Sequence, residues 1–436
     1  MIGLAAGMVV LAGVGAVSAP RMLPSCGREV TRVSAAESTS PFLDAEGRRP
    51  RPDRDRDALV ASLDAAPPPF GEVLGAVGYH YEQWAQVDGF AQGIGIRTRD
   101  NPDFTMLDDA TLKPLWSVKI GTRRSTYDAS DSRYVVATMP TGAAPDVIAL
   151  DAADGRRLWC AGLGERVLGA DDAFATQIVD DGGVVVLAPG SGTGERVVRL
   201  SGKDGSQVWE RTVTADEGDF LGSLGDGVLL AGGSAHETLV EPGAPGQPAA
   251  GAALVALSAA DGEQRWTRSV SRGSGVHVIG TDPDAGIAVV EERTGATGRL
   301  VALDRSGHEI WSVTPTAPGI FDATVRAGRV LVRSGNRWSA YGLGDGRRVW
   351  QRSVPREPQF LPYGFELGNV PLLDTDHALV GGTTALHTLD LRTGAMIPAA
   401  LPTDGINTTY WPYQVAVSPG LIAVATNTGA AVVRRE

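Results

Sequence analysis

Short apolar runs broken by Gly-rich polar turns recur along the chain from Lys113 to the carboxyl end. Tyr134-Val135-Val136-Ala137-Thr138, Val228-Leu229-Leu230-Ala231-Gly232 and Arg329-Val330-Leu331-Val332-Arg333 are rich in branched residues and too short for helices, so strands are expected there. Other runs are paired about a turn of constant length. Val147 to Asp151 and Leu158-Trp159 flank Ala152-Ala153-Asp154-Gly155, and Leu254 to Ser258 and Arg265-Trp266 flank Ala259-Ala260-Asp261-Gly262. The same Gly-x-x-x-Trp spacing ends at Trp209, Trp311 and Trp350, and a further copy has Arg392-Thr393-Gly394 with Pro398 in the Trp position.

Self-similarity at a spacing of about forty to fifty residues decides the fold before any single motif does. In each copy Gly supplies the positive φ of a tight hairpin, and the preceding Asp or Ser accepts hydrogen bonds from nearby amides. The Trp lies on the outer strand of its unit and is expected to pack between neighbouring units; Trp116, Trp159, Trp209, Trp266, Trp311 and Trp350 form this structural set. About four strands per unit make one blade, so the expected fold is an all-β propeller. Six copies plus a last blade closed by Leu115 to Ile120 give seven blades. Eight result if Ile94 to Thr98 and Phe104 to Asp108 are also blade strands, since Asp108 precedes Trp116 as Asp151 precedes Trp159. The 56 Gly and 27 Pro of the chain fit such a turn-rich fold.

These repeats, together with Lys113-Pro114-Leu115-Trp116-Ser117-Val118-Lys119-Ile120-Gly121, resemble the PQQ-like propeller repeat of quinoprotein alcohol dehydrogenases and of the outer-membrane assembly lipoprotein BamB. A BamB-like scaffold implies a protein partner. The quinoprotein branch implies a catalytic Asp, carboxylate and amide ligands for calcium, and a vicinal cysteine pair. No Cys-Cys is present and no acidic or amide cluster aligns with the calcium site, so the expectation is a non-enzymatic protein without cofactor. The architecture of anchor, charged linker and propeller also resembles the actinobacterial polar growth factor A proteins, which implies an exporter of trehalose monomycolate as partner.

Residues Ile2 to Pro20 are uncharged and of bilayer-spanning length, with Arg21 following directly. They read as a membrane anchor or as the apolar core of a signal segment; the absence of a preceding basic residue and the length favour the anchor. Leu23-Pro24-Ser25 before Cys26 is similar to a lipobox, with an atypical Pro. The divisions are therefore 1–21 anchor or signal, 22–70 solvated linker, 71–112 pre-propeller segment and 113–436 propeller, with the propeller outside the cytoplasmic membrane. Cys26 and Cys160 are the only cysteines, and two unrelated thiols are expected rather than a pair.

A formal charge of −12 argues against a phosphate-backbone partner. Apart from Lys113, Lys119 and Lys203 the basic residues are Arg, a skew that reads as codon bias rather than as function. The six histidines are scattered, without metal-ligand spacing. Gly190-Ser191-Gly192-Thr193-Gly194 lacks the Lys of a phosphate loop. Asp154, Asp204, Asp261 and Asp345 have a sufficient task in their turns. What remains are two consecutive apolar loops, with Phe360, Leu361, Tyr363 and Phe365 in one and Tyr410, Trp411 and Tyr413 in the other. On neighbouring blades they would meet on one rim as a binding patch, or else plug the channel or pack on Tyr79, Tyr81 and Trp84. The expected role is a membrane-tethered scaffold in envelope biogenesis that binds a membrane protein or amphiphile; the rival is a small-ligand receptor ectodomain.

Overall fold

Among the described residues the apolar runs form strands, and the strands form eight antiparallel sheets. The structure is a computed structural model that describes residues 31–33, 59–61, 63–66, 68–78, 85–98, 104–119, 125–130, 132–138, 146–164, 175–179, 183–189, 195–213, 218–225, 228–233, 253–269, 274–294, 297–315, 322–334, 337–353, 370–381, 386–399, 414–425 and 429–436. Blade 2 shows the common plan: Ser125–Ser130, Arg133–Thr138, Asp146–Asp151 and Arg157–Gly162 run from inner to outer strand, and the repeat turn joins the last two. Blades 3 to 6 repeat it, and among the described residues blade 7 shows three strands, His377–Gly381, Leu386–Asp390 and Met396–Ala399.

The sheet count is the larger of the two that the sequence left open. Gly93–Thr98 and Phe104–Asp108 are blade strands and, with Ala85–Phe90 and Pro114–Lys119, make blade 1. The residues expected to close the ring are thus the outer strand of blade 1. Closure comes instead from Phe70–Gly78, which pairs with the carboxyl-terminal Gly429–Arg435 and completes blade 8. Seven sheets carry the repeat turn, and the eighth is the composite one. The propeller therefore starts at Phe70, not at Lys113, and the segment expected to precede it is part of the ring.

Part of the expected linker is also structured. Thr31–Val33 pairs antiparallel with Ser117 to Lys119 as a fifth strand on the outer edge of blade 1. Leu59 and Leu63, four residues apart on a helical turn, pack with Phe70, Val73, Leu373 and Leu386. Cys160, on the outer strand of blade 2, is disulfide-bonded. With two cysteines in the chain, the expectation of unrelated thiols gives way to a pairing with Cys26. Residues 1–21 lie outside the described residues. Among the described residues no helix is long and apolar enough to cross a membrane.

Candidate functional site

The repeat residues are spent on holding blade to blade. In six blades the outer-strand indole donates its N–H to a carbonyl in the turn of the next blade: Trp116 to Ala152, Trp159 to Gly202, Trp209 to Ala259, Trp266 to Arg305, Trp311 to Leu343 and Trp350 to Leu391, all at 2.7–3.0 Å. The Gly of each receiving turn has φ between 63° and 78°. A Cβ there would stand 2.5–2.7 Å from the docked indole. Two demands, a left-handed backbone and an aromatic ring against the Cα, thus select Gly at the same position. All six indoles expected to pack between blades do so.

The repeat acids are held by the same turns. Asp154 accepts from the amide of Arg156, Asp261 from Glu263 and Asp345 from Arg347, at 2.8–3.0 Å. Asp204 accepts from the Ser206 hydroxyl at 2.7 Å, which keeps its carboxyl below the usual range. The Glu263 amide does the same for Asp261. Among the described residues no three His, Cys, Asp or Glu side chains come together as metal ligands. These residues do not fit a calcium and quinone site.

Arginine has a larger part than its composition suggested. Arg199 donates to the Ala259 carbonyl that also accepts from Trp209, and Arg211 donates to Gly262, both in the turn of blade 4. Arg196 reaches Leu163 of blade 2 at 2.8 Å, Arg305 reaches Leu224 of blade 4 at 3.1 Å, and Arg435 donates to Leu373 of blade 7. Arg268 of blade 4 bridges Glu292 and Glu309 of blade 5, and Arg299 bridges the same two carboxylates. Hydrogen bonding to Glu292 raises Arg299 further above its ordinary value. The forked, fixed donors of guanidinium suit such crossings, where an ammonium offers a single point charge. The arginines of these crossings thus have a structural task.

The expected binding residues, Phe360, Leu361, Tyr363, Phe365, Tyr410, Trp411 and Tyr413, lie outside the described residues, as do Tyr79, Tyr81 and Trp84. Their loops leave the ends of two outer strands, Arg348–Ser353 of blade 6 and Met396–Ala399 of blade 7. These blades are neighbours, joined by the Trp350 dock. What sequence reasoning missed lies on the outer wall: the added strand Thr31–Val33, the Cys160 disulfide and a basic blade 6.

Solved structures of like fold include BamB from Moraxella catarrhalis, at 17% identity, covering 83% of this chain and 99% of that one, with a TM-score of 0.50. The dihydro-heme d1 dehydrogenase NirN in complex with DHE matches at 16% identity over 89% of this chain and 84% of that one, TM-score 0.51. The quinohemoprotein alcohol dehydrogenase of Comamonas testosteroni matches at 12% identity over 92% and 83%, TM-score 0.47. No curated protein sequence matches. The profile described as outer membrane protein assembly factor BamB matches residues 60–234, 101–275 and 250–411. The seam-to-seam succession of Gly turns and docked Trp residues thus has a family behind it: the chain belongs to the BamB family of PQQ-like propellers.

Proposed function

We propose that this propeller is a non-enzymatic scaffold of the cell envelope, held at the outer surface of the cytoplasmic membrane by residues 1–21, that docks a membrane protein. Membership of the assembly-factor family carries this reading. Two further observations support it. The repeat carboxylates are engaged in their own turns, and the disulfide at Cys160 fits an oxidising compartment. The aromatic loops at Phe360 and Trp411 are the proposed contact, and an exporter of mycolate glycolipid is the narrower proposal for the partner.

Co-purification from detergent-solubilised membranes tests the reading. A membrane protein retained in proportion to the propeller is the expected result. Its absence, with a tightly held small molecule in its place, would favour a receptor ectodomain. Dye reduction after reconstitution with quinone and calcium would overturn the non-enzymatic reading.

A further inference from the structure

Blade 6, Asp322 to Ser353, carries seven arginines and two aspartates in a chain whose net charge is −12. Its neighbours are acidic: Ser274 to Val313 of blade 5 holds six carboxylates and three arginines. Three of the blade 6 arginines, Arg347, Arg348 and Arg352, are exposed on or beside the outer strand. Among the described residues none of the three forms an ion pair, and Arg348 donates only to Gln351 at 2.7 Å. Val349 between them is 48% exposed, like Ile310 (42%) and Ile397 (54%) at the same position of blades 5 and 7.

The edge itself is open. Arg348–Ser353 pairs inward with Arg337–Gly342, and among the described residues no strand lies on its other side. The molecule shows what such an edge accepts, because the matching strand of blade 1 takes Thr31–Val33 antiparallel. The other outer strands are less suited. Blade 2 holds the disulfide at Cys160, blade 7 has Pro398, which lacks an amide hydrogen, and the charges of blades 3 to 5 are engaged by Glu210 with Arg196 and by the Arg268–Glu309 network.

We propose that the outer strand of blade 6 is a docking edge for an extended acidic segment of a partner protein, which adds to the sheet as a fifth strand. Acidic side chains of the segment would face Arg348 and Arg352, an apolar one would cover Val349, and main-chain hydrogen bonds would set the register. Like charges on the same edge repel a second copy of this chain, so the arginines guard against self-association while admitting the acidic strand. The proposal rests on the scaffold reading and names a contact for it. Its test does not depend on recovery of any partner from membranes, so the two can fail separately.

The probe is a fluorescein-labelled peptide of alternating Glu and Val, titrated against the full chain in detergent and read by fluorescence anisotropy. Saturable binding is expected, weakened at least about ten-fold by R348E/R352E and reduced by added salt. A peptide of the same sequence with alternate backbone amides methylated should bind at least about ten-fold more weakly, since it cannot complete a strand ladder. Equal binding by R348E/R352E, or by the methylated peptide, would overturn the proposal. So would an absence of peptide binding together with charge-dependent binding of phosphatidylglycerol vesicles, which would turn this edge toward lipid. Circular dichroism of R348E/R352E confirms that the comparison is made on folded protein.

Discussion

The Ser418 hydroxyl donates a hydrogen bond to the Asp109 carboxylate across the seam where blade 8 meets blade 1. Ser418 also caps its own hairpin, accepting from the Leu421 amide at 3.2 Å. The seam is tight beside it, since a Cβ on Gly420 would stand 2.6 Å from the Asp109 carboxylate. Ser418→Ala is therefore expected to cost about 1 kcal/mol, with the fold retained. Thermal unfolding checks this, and an unchanged midpoint would mean that the strand pairing of blade 8 alone secures the ring.

Gly262 and Gly164 separate the two demands on repeat glycines. Both have left-handed φ, 73° and 88°, but a Cβ on Gly262 meets Trp209 at 2.7 Å while one on Gly164 meets nothing within 4 Å. Gly164→Ala should cost about 1 kcal/mol from the backbone alone. Gly262→Ala should cost a further 1–3 kcal/mol or so by overpacking the indole. Equal losses in denaturant unfolding would show that the ring contact contributes nothing.

Cys160→Ser removes the covalent tie between the amino-terminal segment and blade 2. A loss of about 2–5 kcal/mol is expected without reductant, and little difference from the parent chain with it. Urea unfolding under both conditions decides, and a variant as stable as the parent without reductant would count against a stabilising tie.

Acidification should destabilise the propeller. Asp108, through the Thr111 hydroxyl, and Asp261, through the Glu263 amide, have carboxyl groups below the ordinary value of 3.8. A depressed value in the folded state contributes stability that is complete above 3.8 and disappears as the pH falls through the lowered value. The urea midpoint should hold above about pH 5 and drop below about pH 4. Asp261→Asn should make that drop shallower; an identical pH profile would show that this turn does not contribute.

For the scaffold itself, replacing Phe360 and Trp411 with Ser is expected to weaken membrane-partner co-purification without unfolding. Loss of the folded state would instead assign those rings to the core.

Blades 2 to 7 were legible because Gly and its distant Trp are both conspicuous. Blade 1 was half hidden for a physical reason. Blade 8 presents no outer-strand Trp to it, and the turn position that is Gly elsewhere is Leu112, left-handed at φ 56° and buried in one cluster with Leu74. An aliphatic cluster thus stands at this turn where other seams have indole over Gly, and the signature disappears with it. The closing strand escaped notice because Gly71, Gly75 and Gly78 interrupt its apolar run and its register shifts at Val73 and Gly75. Neither the disulfide nor the Arg crossings can be read from spacing, since both depend on which blades meet. The binding loops, read from their aromatic content alone, lie outside the described residues.

Closure by Phe70–Gly78 also sets an order of events during synthesis. That strand leaves the ribosome before its partner Gly429–Arg435, which is made roughly 350 residues later, or about 20 to 70 seconds at ordinary elongation rates. Blades 1 to 7 can form in succession from local hairpins while the first strand waits with an unpaired edge. The nascent chain is thus most exposed to misassembly until Gly429–Arg435 emerges, and a chain cut before that strand would leave a ring of well-made blades permanently open.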